Sequence, residues 1–238
     1  MNDMLVIIPS RGRPDNIRRF YKACIKTNAD VHIIAGIDYD DPSYQEYHQW
    51  ILDQFDTNDR VRIADFPSKK RKRFGPTLNN IAIAFANKYK YIYWCGDDHL
   101  PITENWDQKY REELDKLGTG IVYGNDLVMG STIPTQMAMT SDIVEVLGYA
   151  VPEGFTHLFI DNYFLELGKA LGKIVYMPDV IVQHLHHITG HAEEDQTYKE
   201  ANSEENWSND RARFEKYMQE ELYSDVEKLR RYIEKKIK

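Results

Sequence analysis

The first hundred residues alternate short, continuously apolar segments with longer amphipathic ones, and this alternation constrains the fold more than any other feature of the chain. Apolar runs such as those of residues 4–8 and 91–95 have the length and composition of strands that are buried on both faces. Two more strands are predicted at 31–37 and 61–64. Apolar residues at helical spacing predict three helices between the strands. The first has Asp15 as its N-cap, the second covers 44–55 and the third begins at Gly75. Strands and helices in this order indicate an α/β domain with a mostly parallel sheet.

The second half of the chain is less regular. It predicts short strands at 121–123, 137–140, 175–177 and 180–183, and helices over 141–148 and 161–171, the latter closed by Gly172. A polar stretch up to Asn206 reads as a loop, and 207–238 as a long amphipathic helix or helix pair. We therefore expect one α/β domain over 1–190, followed by an acidic loop and a C-terminal helical extension over 191–238.

Charge and hydropathy narrow the classes of function. The 238 residues carry a formal net charge of −8, which argues against a broad cationic face for duplex DNA. Residues 193–227 alone hold 12 acidic and 4 basic side chains. The two cysteines, Cys24 and Cys95, are far apart and predict buried thiols. Because the chain shows no signal-peptide core and no apolar stretch of about 20 residues, we expect a cytoplasmic protein without a membrane span.

Two polar clusters follow predicted strands, where ligands bind in open α/β sheets. Gly96-Asp97-Asp98 follows the fourth strand, and its carboxylates suit a divalent cation or, alternatively, a turn. In His184-Leu185-His186-His187, extended backbone directs His184 and His186 to one face, where both can bind a manganese-type or zinc-type metal. The alternative for these histidines is ordinary packing or exposure at the surface.

Two basic segments add a possible anion site. Residues 9–14 (PSRGRP) follow the first strand and place two arginines beside a glycine, which suits a nucleotide diphosphate. The run KKRKR at 69–73 is either a solvated loop or a phosphate or single-stranded nucleic-acid contact.

Taken in order, these segments resemble GT-A-type glycosyltransferases, most closely the inverting family 2 kind and its bacteriophage relatives. The resemblance covers about residues 4–190. In the first half, a buried strand ends in Pro9-Ser10, a second strand ends in Asp38, and Gly75 is followed by Asn79-Asn80. Further on, a strand leads into Gly96-Asp97-Asp98, a helix begins with the acidic Asp161, and a last strand ends at His184. Gly96 stands where the DXD motif of such enzymes has its first aspartate. The resemblance therefore assigns the metal to Asp98.

The resemblance implies a GT-A-like, Rossmann-like fold and transfer of a sugar from a nucleotide-diphosphate sugar, most commonly a UDP-sugar, to an acceptor hydroxyl with inversion. Asp98 with His184 or His186 would hold Mn²⁺ or Mg²⁺, and Asp161 would be the general base, the alternative for Asp161 being a helix N-cap. The residues implied in binding the nucleotide-sugar donor are Pro9, Ser10, Arg11, Arg13, Asp38, Arg73, Gly75, Asn79, Asn80 and Asp97.

The acceptor stays open at this point: a glycan, a lipid-linked or small molecule, or a modified DNA base. Segments 127–140 and 149–158 are expected on the acceptor side, with Trp106 and Phe155 as aromatic platforms. Two other classes remain, a sugar-phosphate nucleotidyltransferase and a non-catalytic nucleotide- or nucleic-acid-binding module. The sequence does not address the oligomeric state.

Overall fold

A computed structural model describes residues 3–69, 71–185 and 196–237 as an α/β fold. Its first half runs β1 (Met4–Pro9), α1 (Pro14–Lys26), β2 (Val31–Asp38), α2 (Tyr44–Asp53), β3 (Val61–Ser68), α3 (Phe74–Phe85) and β4 (Tyr91–Cys95). The second half adds β5 (His99–Pro101), α4 (Trp106–Leu117), β6 (Ile121–Asn125), β7 (Gln136–Thr140), α5 (Asp142–Leu147), α6 (Ile160–Leu171) and β8 (Ile174–His184). The C-terminal segment contains α7 (Gln196–Ala201), α8 (Glu204–Lys216) and α9 (Leu222–Ile237).

The strands form one sheet in the order β3-β2-β1-β4-β7-β6-β8-β5. β3, β2, β1 and β4 are parallel, as the continuously apolar runs predict, and β7 pairs antiparallel with both β4 and β6. β6 and β8 pair in parallel, and β5 lies antiparallel to β8. The predicted mixed, mostly parallel sheet flanked by helices is confirmed.

Both faces of the sheet are covered. One apolar layer contains buried side chains of α3, α5, α6 and α9, and the other contains those of α1, α2 and α4. Cys24 and Cys95 lie in the second layer as buried free thiols, as predicted. Because the layers fix the sheet between them, the loops at the carboxyl ends of β1, β2 and β4 are held side by side.

The C-terminal segment packs into the same core as the sheet. Tyr217 is fully buried, and Val226 and Leu229 of α9 are 4% and 0% exposed within the layer that also contains α6. A π-helical turn at Tyr217–Glu221 joins α8 to α9, so the predicted long helix is nearly continuous. Within the described residues, no helix is long and apolar enough to cross a membrane.

Several predicted boundaries are wrong. α1 begins at Pro14 with Arg13 as N-cap, so Asp15 lies inside the first turn, because the fixed φ of proline suits the first helical position. The strands predicted on either side of Pro178 are one strand, β8, whose register with β6 shifts at Gly124/Asn125 and accommodates the proline. The stretch predicted as a loop up to Asn206 contains α7 and the start of α8, whose N-cap Ser203 accepts a hydrogen bond from the Asn206 amide.

Candidate active site

A cavity of about 750 Å³ opens at the carboxyl ends of β1, β2 and β4. Its wall includes cationic side chains, a cluster of one carboxylate and two imidazoles, and the further carboxylates of Asp38, Asp97, Asp161 and Glu200. The cationic residues are Arg11, Arg13, Arg71, Lys72 and Arg73. A concave site with convergent polar groups at this edge of an α/β sheet is the expected position for a ligand.

The loop after β1 is fixed to the end of β4 through Asp97. Ser10 Oγ donates to Asp97 Oδ2 at 2.6 Å, and Arg13 donates to Oδ1 at 3.2 Å. Tyr47 contacts the same loop, accepting a hydrogen bond from the Arg13 amide at 2.6 Å. Burial raises the pKa of Asp97, and the charge of Arg13 and the hydrogen bond from Ser10 partly offset this rise. Asp97 therefore holds the loop after β1 in place at the cavity wall, with both of its carboxylate oxygens engaged by that loop.

Asp38 ends β2 and connects the cavity to the basic run. Its Oδ1 accepts the backbone amide of Lys72 at 2.9 Å, and Arg11 lies 3.5 Å from its Oδ2. Burial raises the pKa of Asp38, although the Lys72 amide and Arg11 act in the opposite direction. A smaller cavity of about 170 Å³ beside Asp38 is lined by Thr77 and Asn80 among others.

Asp98, His99 and His184 form a cluster that could hold a metal ion, with their ligand atoms all within 4.8 Å of one another. His99 Nδ1 lies 3.2 Å from Asp98 Oδ1, and His184 Nε2 lies 3.3 Å from Asp98 Oδ2. The two rings stack with centroids 4.2 Å apart. Metal bonds of roughly 2.1 Å put neighbouring ligand atoms about 3 Å apart, and oxygen with imidazole nitrogen is a donor set that suits Mn²⁺. The residues present therefore fit a divalent ion.

The charges in this cluster are arranged for a cation. Burial alone would raise the pKa of Asp98, but hydrogen bonds from His184 and His99 outweigh it and hold that pKa well below its usual range. Burial also lowers the pKa of His99, so this imidazole is neutral at pH 7 and able to donate a lone pair. In His184 the carboxylates of Asp126 and Asp98 outweigh burial and raise the pKa to about 9, so without a metal this imidazole is protonated at pH 7, and a metal ion would take the place of its Nε2 proton.

Asp126 orders the loop between β6 and β7 next to this cluster. Its Oδ1 accepts the amides of Val128, Met129 and Gly130 at 3.0, 2.7 and 2.9 Å, and its Oδ2 accepts from Thr135 Oγ1 at 2.8 Å. Asp126 is 1% exposed, and these hydrogen bonds, together with His184, hold its pKa below the usual range despite burial. Thr135 also lies 3.4 Å from His99 Nε2.

Asp161 lies in the first turn of α6 and lines the same cavity as Asp98 and His184. The N-cap of α6 is Phe159, which has a left-handed φ of 61°, so the alternative of Asp161 as an N-cap is wrong. Asp161 Oδ1 accepts the neighbouring Asn162 amide at 2.9 Å. Burial raises the pKa of Asp161, which brings this carboxylate closer to the working range of a general base.

The loop before Asp161 is clamped between α3 and α8. Asp210 of α8 is fully buried and accepts the amides of Thr156, His157 and Leu158 at 2.8–2.9 Å. On the other side, the Gly75 amide donates to the Thr156 carbonyl at 2.9 Å. A Cβ at Gly75 would lie 2.6 Å from the Phe155 carbonyl oxygen, so only glycine allows this approach. The position of Asp161 therefore depends on the C-terminal segment.

The basic run faces the cavity from the start of α3. Arg71, Lys72 and Arg73 line it, and Arg71 pairs with Glu200 of α7. Lys69 is exposed and borders the smaller cavity, while Lys70 lies outside the described residues. The segment from Tyr198 to Trp207 forms part of the same wall.

The structure separates some sequence-predicted site residues from the cavity. Pro9, Ser10, Arg11, Arg13 and Arg73 line the cavity, as predicted, but Gly75 does not. The side-chain amide of Asn79 is engaged elsewhere, because it forms hydrogen bonds with the backbone of Ala150 and Val151. His186 lies outside the described residues, so the structure describes only His184 of the predicted pair.

The prediction that Trp106 and Phe155 serve as aromatic platforms for the acceptor is wrong. Trp106 is 0% and Phe155 2% exposed, and both lie in the core. The positions of aromatic residues in the sequence do not show which of their rings are buried between the sheet and the helices.

Sequence reasoning missed several residues of the site. His99 directly follows Asp98, and its proximity could have suggested a ligand, but the antiparallel β5–β8 pairing that sets His99 opposite His184 has no local signal. Asp126, Asp210 and Trp207 approach the site only through tertiary packing.

Comparison with solved structures places this architecture among known folds. A mannosyltransferase from Pyrobaculum calidifontis, solved with GDP-Man and Mn²⁺, is similar over 95% of this chain and 72% of its own, with a TM-score of 0.60 and 12% identity. The catalytic domain of Drosophila β1,4-galactosyltransferase 7 with xylobiose covers 82% of this chain and 75% of its own, with a TM-score of 0.51 and 14% identity. A variant of that enzyme with manganese, UDP-Gal and xylobiose gives a TM-score of 0.50 at 14% identity, over 82% of this chain and 76% of its own.

The chain therefore has the GT-A fold of nucleotide-sugar-dependent glycosyltransferases. No protein-family model matches its sequence, and no curated protein matches it. At these identities the likeness establishes the fold, and an activity has to be assigned from the side chains of the cavity.

Proposed function

We propose that this protein is a metal-dependent glycosyltransferase that moves a sugar from a nucleotide-diphosphate sugar to an acceptor hydroxyl. The observation that carries the proposal is the composition of one cavity, in which cationic side chains, a carboxylate–imidazole cluster and the half-buried carboxylate of Asp161 converge. Each of these groups matches one requirement of glycosyl transfer.

The donor is expected along the cationic wall. Arg11, Arg13 and Arg73 suit a diphosphate, because guanidinium groups bind phosphate oxygens with fixed, directional donors. Asp38 and the smaller cavity beside it suit the ribose and base of the nucleotide. We expect a UDP-sugar, with GDP-sugars as the direct alternative because the similar solved enzymes hold UDP-Gal or GDP-Man.

Asp98, His99 and His184 would hold Mn²⁺ or Mg²⁺ at the diphosphate. A divalent ion there neutralises the charge that develops on the leaving diphosphate. The ionised state of Asp98 and the neutral state of His99 make these side chains suitable ligands. Arg73 and Arg13, which line the same cavity, would share the leaving-group charge.

Asp161 would accept the proton of the acceptor hydroxyl as its oxygen attacks the anomeric carbon. The bond from that carbon to the diphosphate oxygen breaks, and the electron pair leaves with the nucleoside diphosphate. A single displacement of this kind inverts the anomeric centre. The position of Asp161 in the first turn of α6, fixed by the Asp210-bound loop, suits a base that must be held still.

The test is a mass-spectrometric assay of nucleotide release. The protein is incubated with Mn²⁺ and a mixture of UDP-, GDP- and other nucleotide sugars, with chelator and Asp98→Ala as controls. We expect release of one nucleoside diphosphate, slowly to water and faster to an acceptor, with both controls inactive. Formation of a nucleoside triphosphate and sugar-1-phosphate on addition of pyrophosphate would instead identify a nucleotidyltransferase. Absence of any turnover would favour a binding module.

A further inference from the structure

Part of the cavity wall lies outside the residues assigned above to the donor and to the metal-ligand cluster. Besides Asp161, this part of the lining contains Leu158, Phe159, Asn162, Ala201, Asn202 and Trp207. Except for Asp161 itself, none of these side chains is charged. This wall therefore differs in chemistry from the arginine-rich side.

Trp207 is the dominant side chain of this wall. It is 45% exposed, an unusual state for a tryptophan, although it belongs to the lining of a cavity. Its ring meets Phe159 edge-on with centroids 5.9 Å apart, and the guanidinium of Arg211 lies 5.1 Å from the ring centroid. An exposed indole in a concave site offers a flat apolar surface with one N–H donor at its edge.

The same helix that carries Trp207 fixes the loop before Asp161. Trp207 and Asp210 are three residues apart in α8, so they lie on one face of the helix. Asp210 holds the amides of residues 156–158, and Trp207 contacts Phe159. These two contacts place the indole beside the loop that leads directly into Asp161. Trp207 is thus fixed relative to the expected base.

The charge of the surrounding chain indicates what can bind there. Residues 193–227 hold 12 acidic and 4 basic side chains, and Glu200 lines the cavity itself. A polynucleotide would bring its phosphates close to the carboxylates of Glu200 and Asp161, which both line the cavity, and this is unfavourable. A neutral sugar ring carries no charge that these carboxylates would repel. Its C–H face can pack on an aromatic ring. Its hydroxyls can form hydrogen bonds with the side-chain amides of Asn162 and Asn202, which line the cavity.

We propose that the acceptor is a neutral carbohydrate whose ring packs on Trp207 while its hydroxyl faces Asp161. This inference rests on the proposed glycosyltransferase function and names its acceptor class and a specificity-determining residue. Trp207 takes no part in bond making or breaking. Its expected effect is on the binding of the acceptor alone.

The experiment measures transfer with the full chain, Mn²⁺ and the nucleotide sugar identified by nucleotide release. Neutral disaccharides, single-stranded oligonucleotides and duplex oligonucleotides are offered as acceptors, and products are weighed by mass spectrometry. Trp207→Ala and Trp207→Phe are compared with Trp50→Ala, since Trp50 is a half-buried tryptophan on α2 that does not line the cavity. Thermal unfolding of each variant checks that it folds.

We expect transfer to a neutral disaccharide. Trp207→Ala should raise the acceptor KM at least about tenfold, the scale of a lost aromatic packing surface, with the donor KM unchanged. Trp207→Phe should restore most of the acceptor affinity, and Trp50→Ala should leave both KM values unchanged. An unaltered acceptor KM in Trp207→Ala overturns the inference, as does transfer only to oligonucleotides or to nothing offered. A wild-type protein that releases no nucleotide would contradict the glycosyltransferase proposal itself.

Discussion

Asp126 faces His184, a member of the metal-ligand cluster, and Asp126 Oδ2 lies 3.8 Å from His184 Nδ1. The other ring nitrogen of His184, Nε2, lies 3.3 Å from Asp98 Oδ2. The carboxylate of Asp126 is itself fixed by three backbone amides and by Thr135. A histidine held in this way presents a defined nitrogen to a metal ion. The loop between β6 and β7 thus orients a residue of the expected metal site.

Replacement of Asp126 by Asn should weaken Mn²⁺ binding by about 10- to 100-fold, the usual effect of losing a carboxylate that orients a ligating histidine. The asparagine keeps one oxygen for the backbone amides, but the NH2 group in place of Oδ2 cannot accept from Thr135 and presents no negative charge to His184. Calorimetric titration with Mn²⁺ in the absence of nucleotide measures the change.

Asp142→Asn is a matched control for that titration. Asp142 is also buried and hydrogen-bonded, to Thr119 at 2.7 Å and Lys236 at 3.0 Å, but it does not line the cavity. Equal Mn²⁺ affinities of the wild type and Asp126→Asn would show that Asp126 only supports the loop.

Asp161→Asn should lower the transfer rate by about 10²–10⁴-fold, the scale of losing a general base, while donor affinity changes little. The amide keeps the shape of the side chain and can still accept the Asn162 amide. Steady-state kinetics combined with nucleotide binding separates the two effects. A variant with near-normal transfer would remove Asp161 from the mechanism.

The acid side of the pH–rate profile provides an independent check on Asp161. Burial raises the pKa of Asp161 above that of an ordinary aspartate, and the base acts only when ionised. Activity should therefore fall as the pH drops through a midpoint above about 3.9, the reference value for aspartate. A midpoint at or below that value would be inconsistent with a buried base.

Arg71 and Glu200 should affect donor affinity in opposite directions. The two side chains form an ion pair at the cavity wall and are 39% and 35% exposed, so the pair itself contributes little to stability. A bound diphosphate would compete with Glu200 for Arg71. We expect Glu200→Gln to tighten nucleoside diphosphate binding by up to about fivefold and Arg71→Gln to weaken it by about tenfold.

Fluorescence or calorimetric titration with the nucleotide measures both changes, and Arg231→Gln, an exposed arginine of α9 that does not line the cavity, is the control. Changes of the same sign in the Arg71 and Glu200 variants would place the diphosphate elsewhere in the cavity.

The architecture could be predicted because its signals are local. Continuous apolar runs such as 4–8 and 91–95 correspond to β1 and β4, and the polar residues at strand ends, Asp38 and Asp98, lie at the cavity because parallel strands end at one edge of the sheet. The order of these segments was sufficient to suggest the GT-A fold.

The rest of the site depends on pairing and packing between distant segments. His99 faces His184 because β5 pairs with β8 across more than eighty residues, which no local pattern encodes. Asp210 reads as an ordinary acidic residue of an amphipathic helix, yet it is fully buried and binds the loop before Asp161. Asn79 matched a family motif, but its amide is engaged by the backbone of residues 150 and 151.

The most direct test of the account is calorimetric binding of the nucleoside diphosphate to the wild type and to Asp98→Ala, each with and without Mn²⁺. We expect Mn²⁺ to tighten binding to the wild type by at least about tenfold, because the ion links the Asp98 cluster to the diphosphate. Chelator should remove the gain, and Asp98→Ala should lack it while still showing cooperative thermal unfolding. Equal nucleotide affinity in all four titrations would contradict a metal-dependent donor site.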